Sequence, residues 1–383
     1  MQNTEIILKK LISIPSVFPE EKNLALWLEE FLKTNGFKVE RHKLTNNRWN
    51  ILAEKGKGKS SLLFYGHMDT VPKYGNWNTS PFKLIADGDK LFGVGACDMK
   101  GGIAAFLNAI ITVKTDKKIK VLFGVDEENI SEGAWRVVKE KKTWFKDVEA
   151  ILVGEPGASA VQTGGVNVVT LGRRGRVVFS VDVYGKSAHG AHPEKGINAI
   201  NEAAKLTLAL EELRLQKNSL LGEGTLFIRK FEAQSTSLSI PDRAYIEIDR
   251  HLVLPETIES AKLQLEKLIN NLYKTDRLSQ NADSKIKISV KQRETFYIEP
   301  YVTSISIPFV KNILKLIKNN FTEELVINYG KSVADDNIFA TELKVPVVTI
   351  GPRGGGIHGA NEWVSRESIN EVSKLYKLII ESF

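Results

Sequence analysis

Ser61-Leu62-Leu63-Phe64-Tyr65-Gly66-His67-Met68-Asp69-Thr70 is the stretch from which the fold can be read. Its apolar run is short and closes on Gly66, the pattern of a buried strand. Alternate residues of a strand share a face, so His67 and Asp69 can point the same way from the strand's C-terminal end. Asp, Glu and neutral His are the donors that a pair of zinc-like ions requires.

The same unit recurs outward from this strand. A helix is expected from Gly101 to Val113, just after Asp98 in Cys97-Asp98-Met99-Lys100-Gly101-Gly102. Lys120 to Val125 reads as a second buried strand ending at Asp126-Glu127-Glu128, and a helix is expected near 132–142. The strand Ala150-Ile151-Leu152-Val153 then ends at Glu155 in Gly154-Glu155-Pro156. Strand, polar residue and helix in repetition is an α/β arrangement, in which functional groups gather at strand C-termini. Residues 4–34 carry apolar side chains at helical spacing up to Asn35-Gly36, and strands are expected at 37–42 and 49–54.

From Val177 to Tyr184 the pattern changes to strict alternation, a half-buried antiparallel strand. A helix near 197–214, strands near 224–231 and 244–249, a helix near 256–274 and a strand at 285–290 complete a split βαβ order. After Pro300 a helix near 305–319 and strands at 324–328 and 346–350 resume the α/β pattern. The expected organisation is a mixed-sheet catalytic domain at 1–174 and 292–383, with an α+β domain at 175–291 inserted in it.

A length of 383 residues exceeds what one hydrophobic core supports and agrees with two domains. A hydrophobic content of 42% and a charged content of 26% are those of a soluble globular chain. The formal charge of +7 is spread over Lys55, Lys57 and Lys59, Lys114 to Lys120, and Lys139 to Lys142. Nucleic-acid binders concentrate such charge on one face, so no nucleic-acid partner is expected. Neither a signal peptide nor a membrane span is legible. Cys97, the sole cysteine, excludes an internal disulfide. Together these point to a cytoplasmic protein.

Taken singly, each candidate has a duller reading. His67 alone could be a core histidine, Asp98 a helix cap, Glu127-Glu128 a solvated pair and Glu155-Pro156-Gly157 a plain turn. Cys97 reads as a packed thiol. A buried strand leading straight into Glu127-Glu128 favours function there: neighbours in extended backbone face opposite sides, so one binds metal while the other faces substrate. No Gly-x-Ser-x-Gly occurs, and Gly58-Lys59-Ser60 and Gly185-Lys186-Ser187 lack the first glycine of a phosphate loop.

Together with His358 in Ile357-His358-Gly359-Ala360-Asn361-Glu362-Trp363-Val364, these motifs resemble a family of co-catalytic zinc peptidases and deacylases. It includes glutamate carboxypeptidase, succinyl-diaminopimelate desuccinylase, acetylornithine deacetylase and aminoacylase, and the resemblance spans essentially the whole chain. It implies two Zn2+ ions (or Co2+ or Mn2+), with Asp98 bridging both, His67 and Glu155 completing one, and Glu128 and His358 the other. Glu127 becomes the general base that deprotonates a metal-bound water, and Asp69 the residue that orients His67. His189 in Gly185-Lys186-Ser187-Ala188-His189-Gly190 would stabilise the oxyanion across a homodimer, with His192 as the alternative; the inserted domain would be a lid and dimerisation domain.

The implied reaction is cleavage of an amide in an N-acyl amino acid or small peptide with a free carboxylate. Acetylornithine-type deacylation or carboxypeptidase action is the first reading, desuccinylation the alternative, and a catalytically silent binding relative the non-enzymatic one. Leu238 stands where the family often has Asn, and Asp249-Arg250-His251 replaces its Asp-x-Arg. Both departures weigh against desuccinylation. Arg173 or Arg174 either touches substrate or is a hinge charge; Gly351 to Gly356 offers backbone amides to a substrate carboxylate; Asp336 has a supporting role.

Overall fold

The computed structural model describes residues 3–157, 164–235 and 237–383, and the chain forms two compact units. One consists of Met1–Arg173, Val302–Gly330 and Ala334–Phe383, the other of Arg174–Tyr301 with Lys331–Val333. Residues 292–301 thus lie with the inserted segment and not with the returning half. Ile298 and Arg176 exchange two main-chain hydrogen bonds there, which ties that stretch to the first inserted strand.

The first unit is built on a mixed sheet. The strand Lys57–His67 lies between Lys117–Gly124 and Val148–Val153 and runs parallel to both. Val347–Thr349 continues the parallel set beyond Val148–Val153. At the other side Trp49–Lys55 pairs antiparallel with Lys117–Gly124 and with Lys38–Lys43. Leu62 to Tyr65 are buried because helices cover both faces. Phe64 stacks on Phe106 of the helix Gly101–Thr112 with ring centroids 3.5 Å apart. On the opposite face, Tyr65 meets Phe339 of the helix Asp335–Leu343 at 4.6 Å. Successive side chains on a strand alternate sides, so one dipeptide serves both layers.

Two local differences from the sequence pattern have physical causes. The apolar spacing over 4–34 is carried by two helices, Asn3–Ser13 and Lys22–Thr34. Pro15 and Pro19 lie between them, and proline cannot continue a helix. The helix Asp335–Leu343 occupies a stretch that reads as loop, because its first turn, Asp335-Asp336-Asn337, is polar yet buried.

The second unit is a four-stranded antiparallel sheet in the order Thr225–Ala233, Arg243–Leu252, Gly175–Tyr184, Lys285–Val290. The helices Ala199–Glu211 and Ile258–Lys274 cover one face. Val177, Phe179, Val181 and Val183 pack there with Leu206, Ile246 and Leu265, as the alternation demands. Among the described residues, no helix is long and apolar enough to cross a membrane.

Gly102 fixes how closely the helix Gly101–Thr112 approaches the sheet. A Cβ there would lie 1.9 Å from the carbonyl oxygen of Gly154, the residue before Glu155. Gly102→Ala is therefore expected to lower stability by about 1–3 kcal/mol despite alanine's better helix propensity. An unchanged midpoint of urea unfolding would contradict this tight seating.

Candidate metal centre

Three parallel strands end side by side at this site. His67 is the last residue of its strand and pairs with Gly124, so Glu127 and Glu128 follow within one turn of the neighbouring strand. Glu155 follows Val153 on the other side. Asp98 sits in an irregular turn at Ala96–Lys100, with φ −116° and ψ 96°, and the residue at the N-cap position of the helix beyond is Lys100, whose side chain makes no capping hydrogen bond. Its carboxylate is therefore not spent as a helix cap.

Ligand atoms of His67, Glu127 and Glu155 all lie within 4.8 Å of one another, and so do those of His67, Asp98 and Glu128. The Nε2 atom of His67 is 3.1 Å from Oδ1 of Asp98. Nδ1 of His67 is held at 2.9 Å by the main-chain oxygen of Asp69, while the Asp69 carboxylate stays 3.8 Å away. The orienting group is thus the carbonyl of Asp69. Its carboxylate accepts instead from the Glu128 amide at 2.9 Å and so fixes the turn carrying the two glutamates. His358 completes the cluster: Nε2 lies 2.9 Å from Oε2 of Glu128 and 3.6 Å from Oδ2 of Asp98. It adopts φ 59°, a left-handed conformation uncommon for a side chain other than glycine.

Burial and like charge dominate the electrostatics. Burial, reinforced by the nearby Glu155 charge, raises Glu127 far above the usual carboxylate range. Burial also pushes Glu155 up to about 8 against the pull of Arg173. The hydrogen bond it donates to Glu128 holds His358 at about 9. For Asp98 burial opposes ionisation, yet the hydrogen bond and charge of His67 outweigh it and leave the carboxyl below its ordinary value. Oε1 of Glu155 and Oδ1 of Asp69 are buried without a hydrogen-bond partner among the described residues. Buried acidic oxygens left in this way suit a cation.

Further residues hold this cluster from behind. Arg173 donates to Glu155 at 2.7 Å and to Asp336 at 2.6 Å, and Thr349 donates to Asp336 at 2.9 Å. Arg173, the last residue of the first segment of its compact unit, is a buried brace for Glu155 and Asp336. Arg48 makes a two-pronged pair with Glu21 and reaches Asp126 at 3.1 Å. Asp126, with φ 75°, accepts the amide of Glu132 at 2.9 Å. The Glu127-Glu128 turn is thereby pinned from below. Only long-range pairing reveals Arg48, which is 78 positions from Asp126.

His189 belongs to the other compact unit. It is exposed, accepts from the Ala191 amide at 3.1 Å, and forms an isolated bridge with Ser239. Arg250 is buried against Glu256 and Gln264 on the helix-covered side of its sheet. His251 faces the other way, with Nδ1 3.3 Å from the Thr225 hydroxyl.

Histidine and carboxylates converging at the C-terminal ends of parallel strands define the class of hydrolases that work through clustered metal ligands. The chain belongs to peptidase family M20/M25/M40, whose sequence model matches residues 63–382. It is 30% identical to the succinyl-diaminopimelate desuccinylase of Buchnera aphidicola subsp. Cinara cedri over 97% of this chain and 96% of that protein. It is 29% identical to the enzyme of the same name from Nautilia profundicola, over 98% of each chain. The fold is also that of aminopeptidase PepT from Bacillus cereus, with a TM-score of 0.79, 18% identity and coverage of 99% and 97% of the two chains. The protein is accordingly a hydrolase of amide bonds, and the reading as a silent binding module is set aside.

Arg173→Met should destabilise the metal-free protein by about 3–5 kcal/mol, because the buried Asp336 carboxylate would lose its cation and Glu155 a hydrogen-bond donor. Urea unfolding of the metal-free variant checks this, and a loss below about 1 kcal/mol would show that Arg173 is dispensable as a brace.

Proposed function

We propose that this chain is a dinuclear metal-dependent deacylase of N-acyl amino acids that carry a free carboxylate, with N-succinyl substrates first in line. The observation that carries the reading is the crowding of ligand atoms: those of His67, Glu127 and Glu155, and those of His67, Asp98 and Glu128, lie within 4.8 Å of one another, and Nε2 of His358 stands 2.9 Å from Glu128 and 3.6 Å from Asp98. Asp98, Glu127, Glu128 and Glu155 crowd one another with Arg173 braced behind, and two divalent cations would offset that repulsion. The donor set of imidazole and carboxylate suits Zn2+ and also admits Co2+ or Mn2+.

His67 and Glu155 are assigned to one ion, Glu128 and His358 to the other, and Asp98 to both. Such ions, when bound, bring a water's pKa toward neutrality and polarise an amide carbonyl. Glu127 then serves as general base, taking a proton from the attacking water and delivering it to the departing amine. Asp69 holds both His67 and the Glu128 amide, so it fixes the relative placing of imidazole and base. His189, supplied by a second copy of the chain in a homodimer, is assigned to the oxyanion, and the Arg174–Tyr301 unit to lid and dimer contacts.

The names of the relatives favour desuccinylation, the reading that sequence departures had placed second. Leu238 and His251 favour a different acyl group, so N-acetyl amino acids and dipeptides remain the second reading. Metal analysis joined to turnover of N-succinyl, N-acetyl and dipeptide substrates ranks them. Failure to hydrolyse any of these with metal restored sinks the proposal.

Glu127→Gln should retain both ions by elemental analysis and lose activity about 10²–10⁴-fold. Full activity in that variant would remove Glu127 from the reaction. Metal affinity should rise with pH, because cations compete with the protons held on Glu155 and His358, which leave at about 8 and about 9. Chelator competition between pH 6 and 10 is expected to show an increase that levels off above about 9; a flat profile would contradict those assignments.

A further inference from the structure

Glu362 lies four positions beyond His358 and is almost fully buried, yet its carboxylate makes no hydrogen bond to another side chain among the described residues. It accepts instead from three main-chain amides of the turn that carries Asp98. Gly95 donates to Oε2 at 2.6 Å, and Cys97 and Asp98 donate to Oε1 at 2.9 Å each. Its own carbonyl accepts the Gly93 amide at 3.0 Å. The next residues, Trp363–Ser365, zip antiparallel onto Lys90–Phe92, the strand that leads into the same turn.

The loop before Glu362 connects the short strands Gly354–Gly355 and Trp363–Ser365. Gly356, His358 and Asn361 all have positive φ, at 73°, 59° and 59°. Asn361 is held through its side-chain oxygen, which accepts the Asn78 amide at 2.8 Å. Glu362 is thus the point at which the loop of one ligand is fastened to the turn of another. A carboxylate accepting several backbone amides is a strong, directional anchor, and without it those donors would be left buried and unpaired.

We infer that Glu362 is a positioning residue that sets the distance between Asp98 and His358 and so the affinity of the ion these two share with Glu128. The inference rests on the metal roles proposed above for Asp98 and His358. Glutamine in its place keeps one acceptor oxygen but turns an NH2 group toward an amide hydrogen, which releases one side of the turn.

The test compares wild type, Glu362→Gln and Glu362→Asp, the last retaining charge on a side chain too short to reach all three amides. Zn2+ and Co2+ binding is measured by calorimetry, elemental analysis and the visible spectrum of the cobalt form. Glu362→Gln should weaken one of the two ions about 10–100-fold while leaving the other near wild type. Amide exchange at 95–98 in the metal-free variant should accelerate, with exchange of the Lys57–His67 strand unchanged. If the glutamine variant does not fold, Glu362→Asp is expected to give a smaller loss in the same direction. Two ions bound with wild-type affinity, or unaltered exchange at 95–98, would overturn the inference. A wild-type protein that binds two ions yet hydrolyses no amide would sink the proposed function and leave the role of Glu362 standing.

Discussion

The structure depends on a crowding of acid. Glu127, Glu128 and Glu155 are brought around His67 by strand ends that the sheet does not allow to separate, and Asp98 joins them from the turn Ala96–Lys100. Like charges in a low-dielectric site repel strongly, and burial together with neighbouring charge raises both Glu127 and Glu155 above the usual carboxylate range. The fold tolerates this because the strands behind the cluster are deeply apolar, from Leu62 to Tyr65 and from Ile151 to Val153. The core bears the strain of a site whose own groups push apart.

Around that cluster the chain invests in braces. Arg173 faces Glu155 and Asp336, Arg48 faces Glu21 and Asp126, and the amide-accepting carboxylates of Asp69 and Glu362 hold the intervening turns. Arg173 grips Oε2 of Glu155, Asp69 and Glu362 accept main-chain amides, and Arg48 acts through the side chain of Asp126. Proteins that position metal ligands rely on such outer contacts to fix tautomer and direction.

Much of this was legible in the sequence, for reasons that differ by residue. His67, Glu127-Glu128 and Glu155 could be found because a buried strand announces itself by its apolar run, and the residues just after such a run must lie at one sheet edge. The split βαβ order of the second unit was readable from alternation at Val177 to Tyr184. Arg48, Glu362 and the helix Asp335–Leu343 were not. Their meaning lies in pairing across long sequence separation, and a buried Asp-Asp-Asn turn looks like solvated loop until Tyr65, Arg173 and Thr349 are seen around it. The role of Asp69 was half readable: two-residue spacing put it beside His67, but whether carbonyl or carboxylate made the contact depends on backbone direction after the strand ends.

The helix Arg366–Ser382 packs against the helix Gly101–Thr112, with Asn108 reaching Ser373 at 2.9 Å, and it follows directly on the segment containing His358 and Glu362. A ribosome makes that segment long after the other residues of the cluster. Until it emerges, a growing chain carries the acidic residues of the first strands with neither the final imidazole nor the fastening of the Asp98 turn. The complete set of candidate ligands therefore comes together only late in synthesis.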